Sequence, residues 1–326
     1  RIPRTLRYPD GPAERAARSK GSAIGVTDAL AAFYQSYSST INLLGINALL
    51  ALSIYLTLAC GVFTLANAAF LGVGAYTAAL LTMRLQWPFA LVILAGGMTA
   101  ALLSLPLALP LLRLRGIFLA IATIGFGEAL RVFFLNWSYA GGALGLVGVP
   151  PLTEWWHVYL ILAILAYVLW RMRHSSTGYA LEAMREDESS AQTMGINTTR
   201  YKLLAFMSGA LVAGIAGGLQ AHLFLIVDPR DYGYQRVVDI LAYAVVGGLG
   251  SFAGPVLGAG LISLLPDLLR NLRGLGISPG AVRQFVSGLV LLVVILYLPG
   301  GLVTLLERPV SALRYRRQLQ PPDSSI

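Results

Sequence analysis

The sequence predicts an all-α fold, a polytopic membrane helix bundle of about eight to ten spans, some of them broken or re-entrant. Three observations carry that reading. Only 12% of the 326 residues are charged and 56% are hydrophobic, with a mean hydropathy of +0.70. An average soluble domain carries roughly 25% charged residues, so too few charges remain here to solvate a globular surface, and disorder needs the opposite composition. Apolar runs approaching the ~20 residues that a ~30 Å hydrocarbon core requires recur along the chain. The basic residues, which give a net charge of +9, fall in short stretches between those runs. That is the placement expected at helix ends, and it argues against nucleic acid as a partner.

Candidate spans lie at 41–61, 65–83, 89–112, 116–136, 156–170, 203–225, 237–252, 254–269 and 282–299. Several are rich in glycine, as at Gly72 and Gly74, Gly214 and Gly218, and Gly247 through Gly260. Glycine permits close helix approach or a broken helix. Pro106, Pro110 and Pro255 sit in or beside spans, where kinks are tolerated when neighbours satisfy the freed carbonyls. Cys60 is the single cysteine, so no disulfide forms within the chain.

The organisation is a basic N-terminal tail with a weak candidate span (1–40), a transmembrane domain (41–306) and a basic tail (307–326). The polar stretch from Arg171 to Lys202 is the longest inside the bundle. Placing it in the cytoplasm puts Arg113, Arg115 and the C-terminal tail inside, and 137–155, 226–236 and 270–281 outside. Eleven Lys and Arg after residue 20 then lie inside and six outside, among them Arg84, Arg230 and Arg236. This bias supports the orientation. Strict alternation leaves residues 1–20, with six basic side chains, outside. Either 23–40 crosses as a weakly apolar helix or 65–83 is re-entrant, and the residues leave both open.

Catalytic and nucleotide-binding motifs are missing. The only lysines, Lys20 and Lys202, follow Ser19 and Tyr201, so no phosphate-cradling Gly-Lys-Ser/Thr exists. The three histidines, His157, His174 and His222, are scattered and form no zinc motif, and no nucleophile elbow occurs. These absences name no catalytic or metal-binding residues and weigh against an intramembrane enzyme without eliminating it.

The segment 178–195 is too polar to span. Ser175, Ser176 or Thr177 can cap its start, and Gly195 suits a left-handed position beyond its end. Leu181, Met184 and Ala191 share one side, with Glu182, Arg185, Glu186 and Glu188 around the rest, and Glu182 reaches Arg185 at i+3. The pattern predicts one short amphipathic helix, either an ordinary solvated loop helix or a lever seated in a partner's groove.

Here the motifs resemble a known family. Arg185-Glu-Asp-Glu-x-x-Ala191-x-x-Met-Gly-Ile-Asn197, followed by Thr199-Arg-Tyr-Lys-Leu-Leu-Ala-Phe206, is similar to the signature loop of LivM-type permeases of branched-chain amino acid ABC importers. Ala68-Ala-Phe-x-Gly-x-Gly-Ala-Tyr76, Arg113-Leu-Arg-Gly-x-x-Leu119-Ala-Ile-x-Thr-Ile-Gly-Phe-Gly-Glu128 and Gly247-Gly-Leu-Gly-Ser-x-x-Gly-Pro-Val-Leu-Gly258 resemble its other signatures, in order. The chain departs where the family's Gly-x-x-Ser-Leu-Gly-His/Gln is Gly61-Val-Phe-Thr-Leu-Ala-Asn67, and where Asp/Glu-Tyr after Arg-Leu-Arg-Gly is Ile117-Phe118.

The resemblance implies a multi-pass subunit of the bacterial inner membrane. It would pair with a second permease, with two ATPase subunits below and an extracytoplasmic substrate-binding protein above. This chain would hold no cofactor, and ATP and Mg would sit on the ATPases. Glu182, Ala183, Arg185, Glu186, Asp187, Glu188, Ala191 and Gly195 would form the coupling helix. Related permeases serve urea or short amides, and a stand-alone secondary transporter is a further alternative that does not require such a helix. Thr64, Asn67, Thr123 and Glu128 are candidates for the translocation pathway. Helix-to-helix hydrogen bonds explain Thr64 and Asn67 equally, and a pair with Arg131 explains Glu128. Tyr76 and Trp87 read as interface anchors.

Overall fold

The computed structural model describes residues 26–114, 116–268, 288–289, 292–294, 296–297 and 301–303. The N-terminal stretch 1–25, most of candidate span 282–299 and the tail 307–326 lie outside the described residues. The chain divides into a first unit, Arg1–Ile41, and a second, Asn42–Ile326. The packing that follows is that of the second.

The described residues are almost wholly helical. In chain order they form α1 (Val26–Leu58), α2 (Asn67–Leu80, extended by a π-helical turn Leu81–Leu85), α3 (Phe89–Leu111), α4 (Ile117–Asn136) and α5 (Trp155–Arg173). Two short helices, α6 (Ser176–Glu186) and α7 (Glu188–Thr193), precede α8 (Thr198–Phe224), α9 (Tyr234–Gly247) and α10 (Ala253–Leu268). The only strands among the described residues are β1 (Leu146–Val147) and β2 (Ile226–Val227), paired antiparallel with Leu146 opposite Val227.

Among the described residues six segments are long and apolar enough to cross a membrane: Ser38–Leu58, Asn67–Leu85, Phe89–Leu111, Ile117–Asn136, Trp155–Arg173 and Thr198–Phe224. Two expected spans differ. The run 237–252 is a 14-residue helix followed by a turn, and 254–269 becomes the 16-residue α10. Glycines at 247, 248, 250 and 254 end one helix and begin the next, making a tight helical pair of the two. The stretch 65–83 is one continuous helix, because α2 runs unbroken into its π turn and reaches Leu85, long enough to cross. The polar Asn67 sits at its first residue, outside the helix interior, so nothing in the run interrupts the ladder.

The centre of the bundle is α8, whose packing on α2 and on α3 is the most extensive between any two described helices, and α2 and α3 also pack on each other. Their crossing is made by backbone. A methyl added to Gly74 would lie 2.1 Å from the Gly214 carbonyl oxygen, one on Gly214 would lie 2.6 Å from that of Gly96, and one on Gly96 would lie 2.9 Å from that of Gly74. The three glycines form a closed triangle, one on each helix. In lipid, helix association depends on such close packing, because hydrocarbon supplies no hydrophobic drive. Tyr76 of α2 is buried in this core and stacks on Phe134 of α4, with ring centroids 4.2 Å apart. It is therefore a packing residue and not an interface anchor, while Trp87 is exposed.

Contacts sort the connections into two sides. Arg84, after α2, lies over the ring of Tyr139 after α4, and β1 joins the α4–α5 loop to the α8–α9 loop. On the opposite side, Arg185 reaches Leu249 in the α9–α10 turn. Arg113, Glu188 and Lys202 line one cleft of about 490 Å³ there. This sorting agrees with the alternation predicted from charge.

Gly214→Val should collapse the triangle. Overpacking a filled interior costs about 1–3 kcal/mol even where neighbours can shift, and here the neighbours are backbone. Membrane-inserted, monodisperse protein should fall severalfold by fluorescence-detected size exclusion, whereas Gly125→Ala, in open space, should leave it unchanged.

Candidate functional site

The segment between α5 and α8 is built as a two-part bracket and not the single expected helix. Ser175 stands at the N-cap position of α6, yet its hydroxyl donates back to the Met172 carbonyl at 2.6 Å instead of capping. The helix stops at Glu186 because Asp187 adopts an extended conformation. Its carboxylate accepts from the backbone N–H of Ser189 (2.8 Å) and of Ser190 (3.1 Å), and from the Ser189 hydroxyl (2.7 Å). Asp187 thus caps α7. The hydroxyl of Ser189, then the N–H groups of Ser190 and Ser189, hold its carboxyl down at about 2. At the other end Gly195, with φ +85°, closes α7 by two bonds, Gly195 N–H to Gln192 O and Ile196 N–H to Ala191 O. This is the Schellman arrangement that a left-handed glycine permits.

The bracket has two faces. Ala180, Leu181, Met184 and Ala191 are buried against the bundle, so Ala191 cannot meet a partner. Glu182, Ala183, Arg185, Glu186, Asp187 and Gly195 are exposed. Three side chains tie the bracket to its surroundings, one of them Gln192, whose Nε2 donates to Thr198 Oγ1 of α8 at 2.8 Å. Arg185 Nη1 donates to the Leu249 carbonyl at 3.2 Å, in place of the expected contact with Glu182. Glu188 accepts from Lys202 Nζ of α8 at 2.6 Å. Glu182, Ala183 and Glu186 are left as the outward-facing surface, flanked by the exposed apolar Tyr179 and Met194. Those two apolar side chains were not singled out in the sequence, although large apolar residues in a polar loop were a readable signal.

Three of the four pathway candidates meet beside this bracket, at the α1–α2 connection. A methyl on Gly61 would lie 3.8 Å from the Met184 carbonyl oxygen. Thr64 Oγ1 accepts from Ala66 N–H at 3.3 Å. Asn67 Nδ2 donates to Ser53 Oγ of α1 at 2.9 Å. Thr123 of α4 accepts from Leu65 N–H at 3.0 Å, and its own hydroxyl lies 2.9 Å from the carbonyls of Leu119 and Ala120. All three side chains are buried and engaged within the protein.

Glu128 lies elsewhere. Its Oε2 accepts from Arg131 Nε at 2.7 Å, and its Oε1 accepts from the Tyr234 N–H at 2.9 Å. The carboxylate therefore sits at the N-terminus of α9, where helix dipole and free N–H groups favour an anion. The Arg131 partner was legible from i+3 spacing; the Tyr234 partner, 106 residues away, was not.

The interior polar cluster that the sequence missed surrounds Arg236, which had been counted among outer-loop charges. Its Nη2 donates to Asn47 Oδ1 (3.1 Å) and Gln220 Oε1 (3.2 Å), and Asn47 Nδ2 donates on to Ser263 Oγ (2.9 Å). Arg236 Nε is buried with no acceptor; a buried unmade donor costs about 1–3 kcal/mol. Among the described residues no group of His, Cys, Asp and Glu could hold a metal.

A multi-pass helical bundle with a capped polar bracket between two spans defines the class, a polytopic membrane protein. The family described as branched-chain amino acid transport system, permease component, matches residues 36–295, and the chain belongs to it. The chain is 32% identical over 263 residues to the high-affinity branched-chain amino acid transport system permease protein LivM of Salmonella typhimurium strain LT2, and equally to that of Escherichia coli K12. Those alignments cover 70% of this chain and 60% of the relatives. LivH of Escherichia coli K12 is 32% identical over 142 residues, 44% of each chain. The autoinducer 2 import permease LsrC of Escherichia coli K12 / DH10B is 26% identical over 220 residues, 63% of this chain and 62% of its own. No solved structure matches.

Asp187→Ala should free the start of α7. Cleavage after Glu186 and Glu188 by a Glu-specific protease should rise severalfold in inverted vesicles, and equal cleavage would remove the capping role. Because the folded carboxyl sits below its ordinary value, this cap acts fully above about pH 4 and is lost only as pH falls through about 2.

Proposed function

We propose that this chain is the permease subunit of an ATP-driven importer for branched-chain or similar small amino acids in the bacterial cytoplasmic membrane. A second, homologous permease would complete the translocation unit. Two ATPase subunits would bind beneath the α6–α7 bracket, carrying the ATP and Mg, and an extracytoplasmic binding protein would deliver solute to the side of the β1–β2 pair. Family membership supports this reading, and the bracket carries it: one face packs on the bundle while the other presents Glu182, Ala183 and Glu186. A self-contained carrier has no use for such a surface.

Coupling then follows a physical route. Closure of the ATPase pair pushes the exposed face of α6. The push passes through Arg185 to the α9–α10 turn and through the Glu188–Lys202 pair to α8. Thr64, Asn67 and Thr123, locked around the α1–α2 connection beside α6, would form the inner gate of the pathway, opened when that connection shifts. The likeness to an autoinducer 2 import permease favours a second reading, in which the solute is another small polar molecule and the coupling is the same.

Co-purification in mild detergent should retain an ATPase and a sister permease. Uptake driven by an ion gradient with this chain alone in liposomes would overturn the proposal. Reversing Glu182 and Glu186 together to Arg should cut uptake at least about tenfold, a loss of more than 1.4 kcal/mol in docking, with membrane levels unchanged. Arg185→Leu should preserve assembly and ATP hydrolysis while uptake per ATP falls; a normal ratio would remove Arg185 from the route.

A further inference from the structure

The cleft of about 490 Å³ opens where α3 ends and where α7 and α8 begin. Its lining divides by chemistry. Leu109 and Leu112, at the end of α3, form an apolar wall, and Arg113, Glu188, Thr199 and Lys202 form a polar one. Leu109 is itself exposed, as is Leu204 on the neighbouring α8. The apolar wall therefore runs on into the outer surface of two spanning segments, which lipid chains cover.

Charge in the cleft is unbalanced. Glu188, the sole carboxylate among the described residues of the lining, already accepts from Lys202 Nζ at 2.6 Å. Arg113 is exposed, and among the described residues its guanidinium has no acceptor. One positive charge is in excess. Donors are in excess too, because an ammonium has three and Glu188 takes one. A planar guanidinium fork beside a compact ammonium matches the oxygens of a phosphate.

Depth and shape narrow the source of that phosphate. Arg113 stands two residues beyond the spanning segment Phe89–Leu111, and Lys202 is the fifth residue of Thr198–Phe224. Both cations thus lie at one membrane boundary, the level of lipid headgroups. A soluble phosphate needs only the polar wall, whereas the adjoining apolar wall suits a ligand that carries acyl chains. A zwitterionic headgroup would bring an ammonium in need of a free carboxylate, and Glu188 is already engaged.

We propose that this cleft seats the phosphate of an anionic phospholipid from the leaflet on the bracket's side. Arg113 and Thr199 donate to the phosphate, Lys202 divides its donors between the phosphate and Glu188, and an acyl chain lies along Leu109 and Leu112. The lipid then joins the end of α3 to α8 and, through Lys202, to the bracket. The site depends on no particular transported solute.

The test uses the full-length chain, delipidated in mild detergent and titrated with dioleoylphosphatidylglycerol or dioleoylphosphatidylcholine, which share their acyl chains. Bound lipid is counted by native mass spectrometry. The first phosphatidylglycerol should bind about fivefold more tightly than phosphatidylcholine, as one uncompensated cation at a membrane surface predicts. Arg113→Gln should bring the two lipids level, and Thr199→Val should weaken phosphatidylglycerol without changing phosphatidylcholine. Both side chains are exposed, so monodispersity on size exclusion should be kept. Arg171→Gln removes an exposed cation at the same end of α5, outside the cleft, and should change neither lipid. Equal affinity of the wild type for both lipids, undiminished preference in Arg113→Gln, or an equal loss in Arg171→Gln would each overturn the site. Displacement of phosphatidylglycerol by an equimolar amount of inorganic phosphate would assign the cleft to a soluble anion and overturn the lipid.

Discussion

Everything in the bundle hangs on the contact of three glycines. Gly74, Gly96 and Gly214 bring the backbones of α2, α3 and α8 together with no side chain between them. Van der Waals contact is the main attraction available between helices in hydrocarbon, and it falls off within about an ångström of separation. A single methyl at any corner would forfeit part of it. With the triangle closed, α8 becomes a fixed post. Its inner end holds Lys202 for the bracket, and its outer third holds Gln220 for the interior cluster. One rigid helix thereby joins the bracket at one end to the Arg236 cluster at the other.

Around that post the molecule treats its two interior arginines differently. Arg131 has a full carboxylate partner in Glu128, and the pair also closes the start of α9. Arg236, two residues beyond the capped Tyr234, has amides. The first arginine anchors a helix end, and the second ties α1 and α8 to the start of that same helix.

The spans were legible because length and hydropathy are local, and the pairing of Glu128 with Arg131 was legible because helical spacing is local. The start of the polar helix near residue 176 and its end at Gly195 followed from composition. The break at Asp187 did not, since an acidic residue inside a helix and one capping the next helix read alike until the backbone is known. Glycine richness was visible, but which glycines meet is a property of three distant segments. Arg236 was misplaced for a related reason. In a 14-residue helix that begins Tyr-Gln-Arg, the charge looks like loop, and only Asn47, 189 residues earlier, shows that it points inward.

The β1–β2 pair joins two residues from each of two long loops, and Tyr76 reaches the same place by donating to the Val227 carbonyl. Loops 137–154 and 225–233 are therefore one surface body, tied to the helix core by Tyr76, by Thr153 donating to the Leu219 carbonyl and by the buried Tyr232. A spectroscopic ruler stretched between those two loops would read a constant distance whatever the bundle does. A label pair with one member on this body and the other on the bracket would report movement across the helix core.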